Sequence, residues 1–482
     1  MTKSSVKMNF IYQVLYNILV LIIPFITSPY ISRVFGEDGL GIYDYSFTIA
    51  YYFVLFSMLG IGNYGNRSIA RVRNEQKKLN ESFSNILFLH MLISILFFIA
   101  YLGYCVLHKE NRIYAILQMA YVLSAAFDIS WFYFGIEKFK LTVTRNTIIK
   151  LINVICIFTF VKTKDDLWKY TLIMSLGMLI SSVSLWFPLK NYVKIVKPSR
   201  WLIHLKPMLI LFIPAVAVSL YKYMDKIMIK ELSSYSQLGF YSNAEKVNNI
   251  SLTIISSFGS VMLPRMSNLA ANANRETAMR YISTSMQFVM ALAFGLCYGL
   301  AATGKTFASF FWGESFITSG ILIMYLSITV PFIAFANVIR TQFLIPNERD
   351  REYTISVVVG AFVNIILNLI LIPKYGAIGA TIGTIAAEIS VCLIQAYAVR
   401  SELPLLSYLK GFIFFVPAGG LMFGLTYCLG QMIQNNLVAF LLQLLIGAIV
   451  YCSLAILYFV GTKNNFVLML LLRIKNRRMK NE

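Results

Sequence analysis

The chain has few charged residues for its length. Asp, Glu, Lys and Arg make up only 13% of its 482 residues, whereas a soluble globular protein averages about 25%. Hydrophobic residues account for 58% of the chain, which exceeds the apolar share of about 45–50% that is usual for soluble domains. This composition excludes an ordinary soluble protein and favours a helical protein that crosses a membrane several times.

Histidine and paired cysteine are also scarce. The three histidines, His90, His108 and His204, are scattered along the chain, which argues against a metal centre ligated by histidine. The six cysteines include no Cys-x-x-Cys pair, so neither a metal site nor a framework of disulfides is indicated. We therefore expect no metal and no cofactor.

Long hydrophilic segments are missing as well. A membrane-spanning helix needs about 20 mostly apolar residues, and this criterion predicts an all-α polytopic membrane protein with about fourteen spans. The connections are short, and none is long enough to form a soluble domain. The predicted spans are 10–32, 41–64, 83–107, 113–135, 141–161, 167–189, 207–229, 238–262, 281–303, 318–344, 353–373, 376–399, 407–430 and 436–461.

The positive charges orient these spans, because cytoplasmic loops carry an excess of Lys and Arg. With the N-terminus placed inside, the inner segments hold 28 of the 42 Lys and Arg residues, and the outer loops hold 9. Both termini are therefore predicted to be cytoplasmic. The net charge of +21 lies in short loops rather than on one soluble face, so it does not indicate a nucleic-acid partner.

A basic linker divides the predicted spans. Residues 190–206, KNYVKIVKPSRWLIHLK, form the most basic inner loop between spans. Six spans precede it in residues 1–189, and six follow in residues 207–399. Residues 400–482 hold the last two spans and a basic cytoplasmic tail. We therefore predict two six-helix lobes joined by the linker, plus two C-terminal helices.

The two predicted lobes resemble each other faintly at an offset of 198 residues. Leu40-Gly41-Ile42-Tyr43 matches Leu238-Gly239-Phe240-Tyr241, and Arg67 matches Arg265. Both Leu-Gly-x-Tyr stretches fall at the outer start of an even-numbered span. Six spans per repeat is an even number, so both copies would face the same way across the membrane. Parallel repeats of this kind are typical of transporters, with the substrate between the repeats.

Five cations fall within predicted spans, where a charge costs at least ~2.5–3.5 kcal/mol on insertion scales. Lys226 and Arg340 lie near span ends and can also snorkel to the interface, and Glu245 can neutralise Lys246. If the cations instead line one water-filled cavity, that cavity favours an anion too large or too polar to cross a bilayer alone. The candidate substrate-binding cations are Lys150, Lys222, Lys226, Lys246 and Arg340.

Acidic and polar residues within the spans complete the candidate site. An acid near the midplane can take up a proton or sodium ion, or it can simply pair with a lysine. The candidates for ion coupling, with H⁺ or Na⁺ as the ion, are Glu388, Asp225 and Asp128. The candidates for a polar cavity lining are Gln13, Asn17, Tyr221, Asn364 and Asn368.

Three stretches carry a resemblance to a known family. They are IPFITSPYISRVFGEDGLGIYDYSFTI (23–49), LGFYSNAEKV (238–247) and NIILNLILIPKYGAIGATIGT (364–384). With them, the chain resembles the Wzx-type polysaccharide flippases of the multidrug/oligosaccharidyl-lipid/polysaccharide exporter superfamily. The third stretch is the most specific, and the number of spans and the basic linker extend the likeness over nearly the whole chain.

The resemblance implies the function as well as the fold. It implies two six-helix lobes, a cationic central cavity and a substrate made of an oligosaccharide carried on undecaprenyl diphosphate. The expected location is the cytoplasmic membrane of a bacterium, and the expected role is assembly of a surface polysaccharide of the capsule or O-antigen type. Membrane lipids and other polysaccharide-assembly proteins are the further partners to expect.

Other functions remain open from the sequence. A multidrug antiporter of the same superfamily would favour an acidic cavity, whereas lysines outnumber acids in the predicted lining. A lipid II flippase is closer still and is not excluded. A membrane enzyme of polysaccharide assembly is a distant alternative, because the chain lacks a sizeable outer loop for catalysis. We therefore predict a transporter rather than an enzyme.

Overall fold

The structure is a computed structural model that describes residues 3–272 and 274–462, without the side chains of residues 3–21, 214, 217, 221 and 222. Within these residues every element of regular structure is helical and no strand occurs. This confirms the predicted all-α fold. By contacts, the chain divides into two compact units, Met1–Gly239 and Phe240–Glu482.

The described residues of the first unit form nine helices and the first turn of a tenth. They are α1 (Lys3–Met58), α2 (Ile61–Val72), α3 (Gln76–Leu107), α4 (Arg112–Leu117), α5 (Met119–Phe127), α6 (Ser130–Gly135), α7 (Phe139–Phe160), α8 (Leu167–Ser184), α9 (Leu205–Leu232) and the start of α10 (Tyr235–Ala271). Three short 3-10 helices lie at Lys164–Asp166, Leu189–Asn191 and Trp201–His204.

In the part of the second unit that the structure describes, the rest of α10 is followed by eight further helices. They are α11 (Arg275–Phe311), α12 (Ile317–Leu326), α13 (Thr329–Ile339), α14 (Asp350–Tyr375), α15 (Ala377–Val399), α16 (Leu405–Phe412), α17 (Phe415–Met432) and α18 (Asn436–Gly461). A 3-10 helix lies at Glu314–Phe316, and one π-helical turn, Arg340–Leu344, continues α13.

The number of spans is close to the predicted fourteen. Eleven helices in the described residues are long and apolar enough to cross a membrane, and a pair bent by 42°, Glu314–Leu326 with Thr329–Leu344, raises the number to as many as twelve. The first two predicted spans share one continuous helical run, because α1 only kinks at Gly36. The predicted eighth span lies in α10, which is too polar to be counted among the eleven.

Gly36 replaces the loop predicted between the first two spans. Its φ of 66° and ψ of −172° interrupt an otherwise helical α1, and a positive φ of this kind is easily reached only by glycine. The second helical segment therefore starts at once rather than after a connection of several residues. This kink places Glu37 to Gly41 at the end of the bend, where they meet other helices.

The surface of both units is unusually apolar. On α3, Ile95, Leu96 and Ile99 are more than half exposed, and Leu444 and Leu445 are similarly exposed on α18. A soluble protein rarely leaves contiguous apolar patches of this size, whereas lipid tails solvate them well. The chain is therefore a multi-pass membrane protein.

The boundary between the compact units falls later in the chain than the predicted linker. The linker 190–206 and helix α9 belong to the first unit, which ends at Gly239 inside α10. In the linker, the backbone N–H groups of Lys194, Val196 and Ser199 donate to side chains of α3. The predicted lobes, residues 1–189 and 207–399, were defined by counting six spans in each. This division stays a prediction.

Candidate functional site

Lys150 is the predicted cation with the clearest environment. It lies in the middle of α7 and is half-buried, and it forms no hydrogen bond or ion pair with the described residues. Arg145, five residues earlier on the same helix, instead donates to the backbone oxygen of Ser181 and to the side chain of Asn146. Of these two cations, Arg145 is held by protein groups, whereas Lys150 has no such partner in the described part of the chain.

Lys226 lies on α9 of the first unit and is half-buried. Its Nζ atom lies 5.6 Å from the centre of the Tyr223 ring, and that ring packs against Tyr51 with centroids 4.2 Å apart. A cation over an aromatic face gains ~0.5–2 kcal/mol, with the larger values where water is excluded. Part of the cost of placing Lys226 in a span is thus offset locally.

The remaining described cations lie in the second unit. Lys246 donates to Asn243 at 3.3 Å within α10. Arg340 begins the π-helical turn, and its guanidinium lies 5.5 Å from the centre of the Tyr353 ring. Both side chains are half-buried. The predicted cations are therefore spread over both units.

The three candidate acids have different surroundings. Asp225 is buried on α9, at 3% exposure, and Glu388 is half-buried on α15. Asp128 ends α5 and accepts the backbone N–H of Ser130 at 2.8 Å. This hydrogen bond gives Asp128 a structural role, since it connects the end of α5 to the start of α6. The roles of all three acids in ion coupling stay predictions.

Asn364 and Asn368 are packed inside the second unit rather than open to a cavity. Both are almost fully buried on α14, at 2% and 0% exposure, and Asn368 donates to Asn364 at 3.2 Å. A Cβ atom added at Gly383 on α15 would lie 3.2 Å from Cγ of Asn368. The two amides thus serve the close packing of α14 on α15, and in this conformation they line no accessible surface.

Four predicted side chains lie outside the described residues. They are Gln13, Asn17, Tyr221 and Lys222. Their roles stay predictions. In the described part of the chain, no group of three His, Cys, Asp or Glu residues is arranged to hold a metal ion.

A close contact at the predicted outer end of the first unit was not foreseen. A Cβ atom added at Gly41 would lie 2.6 Å from the carbonyl carbon of Tyr235, and one added at Gly239 would lie 2.8 Å from that of Glu37. Ser236 also donates to Asp38. We call these six residues the outer corner. It joins the bend of α1 to the first turn of α10.

The outer corner is reciprocal. At the offset of 198 residues, Glu37 corresponds to Tyr235 and Gly41 corresponds to Gly239. Gly41 meets Tyr235 and Gly239 meets Glu37, so exchanging the two repeats turns one contact into the other. Reciprocal contacts of this kind are what a two-fold relation produces. The repeat seen in the sequence was the signal that could have revealed this contact.

An ion network lies beside the outer corner. Lys230 at the end of α9 contacts Glu110 at 2.9 Å and Glu231 at 3.2 Å, and Tyr45 donates to Glu231. The hydrogen bond from Lys230 lowers the pKa of Glu110. Burial lowers the pKa of Lys230, but the hydrogen bonds to both carboxylates outweigh it, so that this pKa is raised.

Known proteins similar to this chain cover most of its length. A protein described as an O-antigen transporter of Shigella dysenteriae is 25% identical over 391 residues, which make up 78% of this chain and 96% of that protein. The capsular polysaccharide biosynthesis protein CapF of Staphylococcus aureus is 24% identical over 398 residues, which make up 81% of this chain and 98% of CapF.

Solved structures share the fold at lower identity. The lipid II flippase MurJ, in a conformation described as inward closed, has a TM-score of 0.76 and 17% identity, and the match covers 94% of this chain and 100% of that chain. An inward-facing MATE multidrug transporter of the MOP superfamily has a TM-score of 0.58 and 13% identity, covering 80% and 99% of the two chains. Residues 6–270, more than half of the sequence, match the profile of the family described as polysaccharide biosynthesis protein, and the chain belongs to this family.

Proposed function

We propose that the chain is a flippase for lipid-linked oligosaccharides. It moves repeat units carried on undecaprenyl diphosphate from the inner to the outer leaflet of a bacterial cytoplasmic membrane, with both its termini in the cytoplasm. The similar proteins described as an O-antigen transporter and a capsular polysaccharide biosynthesis protein support the substrate class. The charge distribution between inner and outer loops supports the orientation.

The half-buried ammonium group of Lys150, which has no partner among the described residues, is the observation that carries the mechanism. An ammonium group in a span without a protein partner needs water or an anion to offset its desolvation. In our proposal, Lys150 faces a water-filled cavity and binds the diphosphate of the substrate. Lys226, in the same unit, contributes to the positive charge of that cavity.

Alternating access then moves the headgroup while the lipid tail stays in the bilayer. Outward movement of negative charge across an inside-negative membrane gains ~2.3 kcal/mol per charge per 100 mV. The cations of the protein do not cross, so the return of the empty carrier has no such gain. A proton or sodium ion taken up by Glu388 or Asp225 would drive that return step.

The outer corner is the contact that separates on the way to the outward-open state. It lies at the predicted outer ends of the second and eighth spans, and its closest contacts are between backbone groups. Asp38 within it and the Lys230 network beside it carry charge. We propose that release of the headgroup requires this contact to open.

The test compares leaflet distribution in cells. Without the protein, lipid-linked repeat units should accumulate in the inner leaflet and the surface polysaccharide should be lost. Lys150→Met should reproduce this loss, and Lys150→Arg should retain part of the activity, because the positive charge is kept. Lys140→Ala, at an exposed position in the first turn of the same helix, is the matched control and should leave export unchanged.

The same strains separate the alternatives. If the deletion instead raises drug sensitivity with normal surface polysaccharide, the protein is a multidrug transporter. If it blocks growth with accumulation of lipid II, the substrate is the peptidoglycan precursor. Normal export by Lys150→Met at normal protein levels would show that the diphosphate does not depend on this ammonium group.

A further inference from the structure

We propose that helix α2 carries a cytoplasmic capture site for the diphosphate headgroup, separate from the cations inside the spans. The site consists of Asn63, Arg67 and Arg71 on the exposed side of α2. This inference rests on the proposed function, because it assigns the first contact of the same substrate. Arg67 and Arg71 lie after the second predicted span, and Asn63 lies in the last turn of that span.

Helix α2 is fixed in place by its buried side. It follows α1 through Gly60, whose φ of 74° turns the chain sharply, and a Cβ atom there would lie 2.9 Å from the backbone oxygen of Met208. Ile61 and Ile69 are fully buried in the core of the first unit. Tyr64 shares a hydrogen bond of 2.6 Å with His204. The position of α2 therefore depends on protein contacts and not on insertion into lipid.

The opposite side of α2 is cationic. Asn63, Arg67 and Arg71 are exposed and four residues apart, so their side chains share one helix face with Cβ atoms about 5–6 Å apart. Their exposed neighbours, Gly62 and Ala70, are small. The helix contains no acidic residue.

The two arginines differ in their partners from Arg73 and Lys78, which follow them. Arg67 and Arg71 make no ion pair or hydrogen bond with the described residues. Arg73 pairs with Glu137, and Lys78 pairs with Glu75 at 2.8 Å. Like charges four residues apart disfavour a helix, so the arrangement has a cost that an anion would remove.

A diphosphate group fits this helix face better than the headgroups of bulk anionic lipids do. Arginine offers a planar fork that binds phosphate oxygens through two parallel hydrogen bonds, and two forks at fixed spacing can hold two linked phosphates. Asn63 adds a neutral donor on the same face. A helix that binds bulk anionic lipid usually inserts its apolar side into the membrane, whereas the apolar side of α2 is buried against protein.

The experiment measures binding to the full-length protein in nanodiscs of a zwitterionic lipid. The probe is farnesyl diphosphate, with inorganic pyrophosphate as competitor. The double variant Arg67→Gln/Arg71→Gln should weaken binding by about tenfold or more, because each arginine contributes charged hydrogen bonds. The conservative double variant Arg67→Lys/Arg71→Lys should bind the probe more tightly than the glutamine double variant and less tightly than the wild type. Thermal unfolding checks that each variant is folded.

The matched control is Lys190→Gln/Lys194→Gln, which removes two exposed charges at the predicted inner face without touching α2. It should bind like the wild type. Equal weakening by control and test variants, unchanged binding by Arg67→Gln/Arg71→Gln, or no competition by pyrophosphate would each overturn the capture site. The same holds if phosphatidylglycerol in the nanodisc displaces the probe as well as pyrophosphate does.

Failure of the proposed function is distinguishable from failure of this site. A wild type that does not bind farnesyl diphosphate overturns the capture site, and normal leaflet distribution in the deletion strain overturns the flippase function. Binding that survives Arg67→Gln/Arg71→Gln in a protein whose deletion blocks export leaves the function standing and removes α2 from it.

Discussion

The outer corner allows a quantitative test of alternating access. Gly239→Ala adds a methyl group 2.8 Å from the carbonyl carbon of Glu37, and nonbonded carbon atoms prefer a separation of about 3.5–4.0 Å. The bend of α1 and the first turn of α10 must therefore move apart by roughly 1 Å. Gly41→Ala does the same on the other side of the reciprocal contact.

Overpacking of this kind typically costs about 1–3 kcal/mol. If the contact exists only while the outer side is closed, the whole cost falls on the closed state and shifts the population towards the open state. A difference of 1–3 kcal/mol corresponds to about 5–150-fold in the equilibrium. Either single substitution should therefore raise the outward-open population by a factor within that range.

The assay is labelling of a cysteine introduced by Ser236→Cys, in a variant without the six native cysteines, by a thiol reagent that does not cross membranes. Labelling of intact cells should be faster with Gly239→Ala than with the parent. Gly103→Ala is the control, because a Cβ atom at Gly103 would meet nothing within 4 Å. Unchanged labelling in Gly239→Ala at normal protein levels would refute the role of this corner as a gate.

Two further predictions follow from packing and ionisation. Gly383→Ala places a methyl group against Asn368, so the melting temperature of the purified protein should fall, and the double variant with Asn368→Ala should recover part of the loss. Because Lys230 lowers the pKa of Glu110 below its ordinary value of 4.5, their contact stabilises the fold above that value and loses this contribution as the pH falls through the lowered pKa. Thermal unfolding should therefore be more sensitive to acid in the wild type than in Glu110→Gln.

The fold was predictable from the sequence because few backbone structures can cross a bilayer. Backbone groups in lipid must be paired within a helix or a closed barrel, so long apolar runs already determine an all-α protein. The ends of the elements were less predictable. Gly36 gave no sign that α1 would kink instead of ending, and α10 continues through Pro264 to Ala271, beyond the predicted span end at residue 262.

The candidate site was predictable only in part. The depth of Lys150 could be estimated from its place in a span, but the absence of a protein partner could not, since that depends on which side chains α7 meets. The four-residue spacing of Asn364 and Asn368 predicts that the two amides share a helix face. Their burial against α15 depends on the close approach at Gly383, which the sequence shows only as a glycine among several.

Lys150 and Arg145 together show why depth alone does not assign a role to a cation. Both lie on α7, five residues and about 7.5 Å apart along the axis. The guanidinium of Arg145 is satisfied by Ser181 and Asn146, so its charge can remain in a dry interior. The ammonium of Lys150 has no such partner among the described residues, and our proposal therefore places water beside it. A water-filled path beside α7 is what a carrier needs if a hydrated, negatively charged headgroup is to cross while its lipid tail stays in the bilayer.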